Sequence, residues 1–486
     1  MTALAPHLPE ILPEALEVAR GIGHEYSRAE ALTRLAPHLP ESLLPEALEV
    51  ARGIEYEYSR ASALTALAPH LPEILPEALE VARGIEYEYS RASALTALAP
   101  HLPEILPEAL EVARGIGDEK HRAEALTGLA PHLPESLLPE ALEVARGIGN
   151  GEYRAEALTG LAPHLPESLL PEALEVARGI GDEEYRAEAL TGLAPHLPES
   201  LLPEALEVAR GIGNEYHRAR ALTGLAPHLP ESLLPEALEV ARGIGDEYSR
   251  ARALTGLAPH LPEILPEALE VARGIGNGEY RAWALTRLAP HLPESLLPEA
   301  LEVARGIGNG EYRAEALTGL APHLPESLLP EALEVARGIG NEYYRAEALT
   351  GLAPYLPEVL PEALEVARGI GSEYYRAEAL TGLAPYLPES LLPEALEIAR
   401  GILEIARGIG FEYHRALALK ALTATLTPAN VDLSFWENTL HALGTLTRPN
   451  FLETIPNLAP LILHFGGEVA LREVYQSIRE VRRWWK

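Results

Sequence analysis

The 486-residue chain has no cysteine, one methionine and four phenylalanines. Without cysteine no disulfide holds the fold and no thiolate chemistry exists. With so few bulky side chains, alanine and leucine have to fill the core. That suits closely packed helices, because both are strong helix formers. Positive charge is also scarce: 39 Lys and Arg stand against 72 Asp and Glu, a formal net charge of −33. The deficit argues against nucleic acid and anionic membranes as partners, since phosphate binding needs basic stripes. It allows cationic peptides, basic protein surfaces or divalent cations. No apolar run free of charge and proline is long enough to span a membrane, and Met1 to Arg20 lack the basic start and apolar stretch of a signal peptide. A soluble, cytoplasmic protein is the expectation.

What is present is a repeat. Hydrophobic residues make up 47% of the chain, too many for a disordered polyanion. The length exceeds what one globular core supports. The string Leu-Ala-Pro-His/Tyr-Leu-Pro-Glu recurs thirteen times at a spacing of 31 or 32 residues, from Pro6 through Pro37 and Pro69 to Pro385. The one-residue difference lies at a single place, ESLLPE in the long form and EILPE or EVLPE in the short form, which marks a loop or helix start. In the unit beginning at Ser42, Leu44, Ala47, Leu48, Ala51 and Ile54 form one face of a helix A over about Leu43 to Arg52. Ser42 is a candidate N-cap. The following glycine is expected to supply a left-handed cap, and Asp182, Asn214 and Asp246 to cap the next helix. Helix B carries Tyr58, Ala61, Leu64, Leu67, Ala68 and Leu71 on one face, is bent or ended at Pro69, and stops at Pro72.

Helices this short need tertiary packing. The predicted architecture is therefore all-α: an αα-hairpin solenoid, or superhelix, of about thirteen repeats over residues 1–428, with a C-terminal helical capping region over 429–486. The first copy aligns from inside helix B; either the stub suffices as a cap, or the chain is a fragment of a longer protein with an upstream domain, the reading favoured here. Ile402 to Gly408 nearly copies the end of helix A and lengthens the last unit. The tail holds Trp436, Trp484, Trp485, Phe435, Phe451 and Phe465, and its six acidic and six basic groups balance. In it Leu471, Val474, Ile478, Val481 and Trp485 form one face of a last helix, expected to cover the final repeat, with a docking surface for another domain as the alternative.

The unit YRAEALTGLAPHLPESLLPEALEVARGIG, with the ending from Phe465-Gly466-Gly467 to Arg483-Trp484-Trp485, resembles the C-terminal helical-repeat (HEAT/TPR-like) tails of bacterial, cyanobacterial-type NACHT/STAND multidomain signalling proteins. The resemblance implies a module that senses or binds a protein partner. The tetratricopeptide period of 34 is absent, and so is a phosphate-binding Gly-rich loop with Lys and Ser/Thr. The copies are uniform enough to suit a consensus or engineered repeat as well.

No residue pattern points to an enzyme, a cofactor or a metal. The motif histidines, His7 to His323, recur one helix spacing or more apart, too far to share a zinc ion; half-buried packing and hydrogen bonding is their expected role. Two arginine series, one through Arg20, Arg52 and Arg83 and one through Arg28, Arg60 and Arg91, are expected to form ion-pair ladders between repeats. Uniform repeats leave no unique acid pair for catalysis.

Variation between copies gathers on helix B, one or two residues before its arginine, two residues after it and six after it. The last two positions are i and i+4 and share a face, expected to point outward. Two readings stand: drift at exposed positions, or a recognition face that differs by repeat. His217, Arg220, Arg252, Trp283 and Arg287 are the candidate binding residues, because they make repeats seven to ten less acidic and because Trp and Arg favour interface hot spots. The function read from the sequence is a non-catalytic protein-binding scaffold or sensor module; the alternative is a structural spacer or engineered repeat without a ligand.

Overall fold

A computed structural model describes residues 12–392, 394, 395, 419–421, 423, 424, 426, 427, 431, 433–443, 446 and 448–484. Every regular element among them is helical, with twelve A helices and twelve B helices alternating along the chain. The chain divides into two units after His260. The first holds the pairs from Leu12–Arg20 to Glu247–Leu257, the second those from Leu265–Gly274 to Glu373–Leu383.

Helix A begins at Leu44, not at a capping serine. Ser42 lies in a preceding 3₁₀ turn, Glu41–Leu43, and the cap position falls to Leu43, whose side chain makes no cap bond. Pro45 fits the first turn because its missing N–H would have had no helical partner there. Leu44, Ala47, Val50 and Ala51 turn inward, where each large apolar side chain contributes about 1.5–3 kcal/mol when fully buried. The glycine after Arg52 does not adopt a left-handed cap: Gly53 has φ −74°, and Gly467 is the only residue of positive φ among those described. The turn closes instead by an Ile54 N–H to Ala51 carbonyl bond of 3.2 Å, a 3₁₀-type step that needs no positive φ.

Helix B is capped as the turn residues predict. The Asp182 carboxylate accepts from Glu184 N at 2.9 Å, Asn214 Oδ1 from Tyr216 N at 3.0 Å and Asp246 from Ser249 N at 2.8 Å. Ala61, Leu64 and Leu67 are fully buried.

The two link lengths produce two kinds of junction. After Leu35 the long link makes two 3₁₀ turns, Ala36–His38 and Glu41–Leu43. After Leu67 the short link adds one more α-type turn, with Leu71 N bonded to Leu67 O at 3.0 Å, and then a single 3₁₀ turn, Pro72–Ile74. Across long links neighbouring B helices pack directly on one another. Across short links helix B shifts toward the next helix A. Glycine records the difference. A Cβ at Gly160 would lie 2.5 Å from Thr127 Oγ1 across a long link, whereas one at Gly128 meets nothing nearer than Thr96 Cγ2 at 3.7 Å across a short one.

At the C-terminal end, Leu433–Leu443 is followed by Arg448–Trp484, which breaks at Gly467, φ 64° and ψ −171°. That conformation is open essentially to glycine alone. Trp436 is buried and its ring lies 5.9 Å from that of Phe465. Leu471 and Val474 are half-buried. Ile402 to Gly408, Met1 to His7 and Trp485, together with the side chains of Ile478 and Val481, lie outside the described residues.

Candidate protein-binding interface

The two arginine series have different fates. The first forms the expected ladder. Arg52 donates to Glu77 through Nε at 3.0 Å and Nη2 at 2.7 Å, and Arg83 and Arg337 bind Glu108 and Glu362 in the same side-on manner, each across a short link. Across long links the grip is end-on through a single Nη, as in Arg146 Nη2 to Glu172 at 2.7 Å. Hydrogen bonds from their arginines hold the Glu77, Glu108 and Glu362 carboxyls below their usual range.

The second series does not form a ladder. Its guanidiniums fold back onto the turn. Arg28 Nε donates to Ile22 O at 2.9 Å, Arg122 Nε to Ile116 O at 2.9 Å and Arg186 Nε to Ile180 O at 2.8 Å. The turn carbonyls just past helix A have no helical donor and sit at the negative end of its dipole, so a cation six residues on is drawn to them. Neither series presents a free track for phosphate.

The motif histidines are largely exposed rather than half-buried. His228 is an intermediate case, its pKa lowered by burial and then by His196 and His260. Among the described residues no group of three or more His, Cys, Asp or Glu could hold a metal ion, and no helix is long and apolar enough to cross a membrane.

The variable face of helix B is not simply outward. The position two after the arginine is half-buried in several copies, at Glu188, Arg220, Arg252 and Trp283 among them, where it lies along the seam between successive B helices. The position six after it is a contact site: Gly160 and Gly224 face Thr127 and Thr191 too closely for a side chain. Variation there follows link geometry as well as exposure.

The candidate residues fall into two sets. In the first unit, His217 and Arg220 lie on Glu215–Leu225 and Arg252 on Glu247–Leu257. Arg220 reaches back to Glu188 at 3.4 Å and Glu184 at 4.0 Å. The Arg252 guanidinium lies 5.2 Å from the centre of the Tyr216 ring, a cation–π distance. The His217 ring meets the same tyrosine edge-on at 5.4 Å, and its buried Nδ1 has no hydrogen-bond partner. In the second unit, Trp283 and exposed Arg287 stand one turn apart on Gly278–Leu288.

Reasoning from the sequence counted the position two before each arginine among the variable ones but named none of its residues as a binding candidate. Glu184, Tyr216, Tyr248, Glu311, Tyr343 and Tyr374 occupy that position and share the seam with the position four residues on. Their signal was legible as an i, i+4 partnership on the same face.

No family model and no curated protein matches this chain. The resemblance is one of fold. Solved structures with similar helical stacking include Kap121p, at 14% identity and a TM-score of 0.46 over 97% of this chain and 65% of that one. Importin beta matches at 12% identity and 0.44 over 97% and 77%, and a homology model of the AP-3 complex at 10% and 0.40 over 90% and 85%. This chain thus spans about two thirds of the length of the Kap121p structures. The expected kinship with NACHT/STAND tails is corrected accordingly. The structures that match include Kap121p, importin beta and AP-3, and no family model matches. The recurring LAPHLPE and LPEALEVAR strings satisfy helix and turn requirements that stacked helical hairpins share, so they carry fold and not family.

Proposed function

We propose that this chain is a non-catalytic scaffold that binds a protein partner along the seam of its B helices. The observation that supports the reading most is the contrast between the two helices of each repeat. Helix A reads LPEALEVAR in twelve copies, whereas the B-helix seam carries Glu, Ser, Arg or Trp at one equivalent position. Stability alone asks the same of every copy, and helix A shows what that looks like. Trp283 is the one tryptophan outside the tail, and the other repeats pack without it. A half-exposed indole one turn from an exposed guanidinium has the composition of an interface anchor.

The test is capture with the immobilised full chain, comparing Trp283→Ala/Arg287→Gly with Glu326→Ala as a surface control. The expected result is a bound protein that the control retains and the double variant loses, with melting shifted by no more than about 2 °C. Loss of melting temperature without any change in bound protein would overturn the reading. The uniformity of helix A favours a second reading, a spacer that only sets distance, which predicts that neither variant changes capture.

A further inference from the structure

The seam occurs in two chemical versions that share one sequence plan, with two long links in the first and a long and then a short link in the second. In the first unit three successive B helices place Glu184 with Glu188, Tyr216 with Arg220, and Tyr248 with Arg252 at the two positions flanking the turn-binding arginine. In the second unit three successive B helices place Glu311 with Glu315, Tyr343 with Glu347, and Tyr374 with Glu378. The acid pair and the two tyrosines are the same. Both arginines are replaced by glutamates.

The first version shows what the plan accommodates. Arg220 sits against the acid pair Glu184 and Glu188, and Arg252 over the Tyr216 ring. The second version has the matching acceptors with no internal cation. Tyr344 donates its hydroxyl to Glu311 at 3.1 Å, and the Tyr343 and Tyr375 rings stand 4.6 Å apart. Glu315 and Glu347 make no ion pair, and every charged group close enough to perturb them is another carboxylate: Glu279 and Glu311 for Glu315, and Glu311, Glu378 and Glu315 for Glu347. Burial first, and then these neighbours, raise both carboxyls above the usual range. Such crowding destabilises the free face and is relieved by a bound cation.

We infer that the seam formed by Glu311, Glu315, Tyr343, Glu347 and Glu378 binds an arginine-bearing extended segment of a partner protein, whose guanidiniums pair with these carboxylates as Arg220 pairs with Glu184 and Glu188 in the first unit. Charge complementarity favours this occupant, since the sites are carboxylates and tyrosine faces within a chain of net charge −33. Arginine suits it because the guanidinium plane both forks onto carboxylates and stacks on aromatic rings. Neighbouring helices lie about 8–10 Å apart, so two arginines three residues apart in an extended strand, about 10 Å, span one junction. The inference rests on the scaffold reading above and names the chemistry of its partner.

The probe is the peptide acetyl-Ala-Arg-Ala-Ala-Arg-Ala-amide, titrated against the full chain at about 150 mM salt, where long-range attraction is screened. Glu347→Arg/Glu378→Arg supplies the missing guanidiniums from within, at the repeat positions of Arg220 and Arg252, the first of them across the same long link. It should weaken peptide binding about tenfold or more, the value of one lost charge-assisted contact. Glu347→Gln/Glu378→Gln, which keeps shape, should weaken it in the same direction. Glu326→Arg/Glu358→Arg makes the same change of net charge elsewhere on the second unit and should leave affinity within about twofold. Replacing both peptide arginines by citrulline should abolish binding. Equal weakening by the two arginine variants, or no binding of the peptide up to about 1 mM, an affinity near −4 kcal/mol, overturns the inference. If the peptide fails while Trp283→Ala/Arg287→Gly still strips a captured protein, only this inference falls. If the peptide behaves as expected while capture is unchanged in that variant, the role given to Trp283 falls and the acid seam stands.

Discussion

Arg52 holds Glu77 side-on, with Nε and Nη2 on separate carboxylate oxygens at 3.0 and 2.7 Å, whereas Arg146 meets Glu172 end-on through Nη2 alone. The two pairs occupy equivalent positions in the repeat, and one residue of link separates them. A short link draws the next helix A into reach of the flat edge of the guanidinium. The same step moves helix B off its B neighbour, so surface ion pairing and interior spacing change together.

The interior consequence can be measured with two equivalent glycines. Gly224→Ala, across a long link, places a methyl 2.5 Å from Thr191 Oγ1. That hydroxyl is already bonded to Ala187 O at 2.8 Å. Overpacking of this kind costs about 1–3 kcal/mol. Gly128→Ala, across a short link, meets nothing closer than 3.7 Å and should gain about 0.5–1 kcal/mol from helix propensity. Hydrogen exchange over residues 215–225 and 119–129 of the full chain reads both locally. Effects of the same sign would show that link length does not set B-helix spacing.

The two arginine series should differ in importance, and in the opposite order to their visibility. Arg178 forms exposed pairs with Glu175 at 2.9 Å and Glu204 at 3.4 Å, so Arg178→Ala should cost no more than about 1 kcal/mol. Arg186 satisfies Ile180 O at 2.8 Å and Gly181 O at 3.1 Å at the end of helix A. Arg186→Ala should cost about 1–3 kcal/mol by stranding those carbonyls. Exchange rates at residues 179–187 should rise far more in the second variant. Equal rates would return the second series to a surface role.

The acid seam gives a pH dependence whose sign is opposite to that of the ladder. Glu347 has a raised pKa, caused first by burial and then by Glu311, Glu378 and Glu315. Its protonated form is favoured by folding. The resulting stability is present below the unfolded carboxylate value, about 4.3, and is lost as pH rises through the raised folded value. Glu362, with its pKa lowered by the hydrogen bond from Arg337, contributes stability above the unfolded value and loses it as pH falls through the lowered folded one. Glu347→Gln should therefore protect residues 342–352 from exchange at pH 7 and change little near pH 4, about the unfolded value. Glu362→Gln should weaken its region at pH 7 and likewise change little at the lowest pH. A Glu347→Gln variant that is less protected than the wild type at pH 7 would remove the evidence for strain in the seam.

Composition and period already specified most of the fold. Asp182, Asn214 and Asp246 cap helix B as their side chains require, and Leu64 and Leu67 fall on the buried face that their spacing marks. The misreadings are local and share a cause. Gly53 looked like a left-handed cap, and Arg60 like a rung of a ladder, because residue type was read without knowing where the backbone goes next. Gly53 is at φ −74° and Arg60 Nη1 lies 3.2 Å from Ile54 O. The seam was half legible. Arg220, Arg252 and Trp283 stood out as unlike their counterparts. Glu184 and Tyr216 did not, because an arginine that attracts notice alone has its meaning only beside the acid or ring it meets one repeat earlier.

The link also separates two kinds of inheritance. Helix sequence carries cohesion and is copied almost unchanged, while one residue outside the helices chooses between two ways for adjacent hairpins to meet. Insertion or loss of that residue leaves every buried face and every turn-binding arginine in register with its own hairpin. Neighbouring seams can thus be drawn together or opened by a single codon, and recognition can be retuned without renegotiating the core.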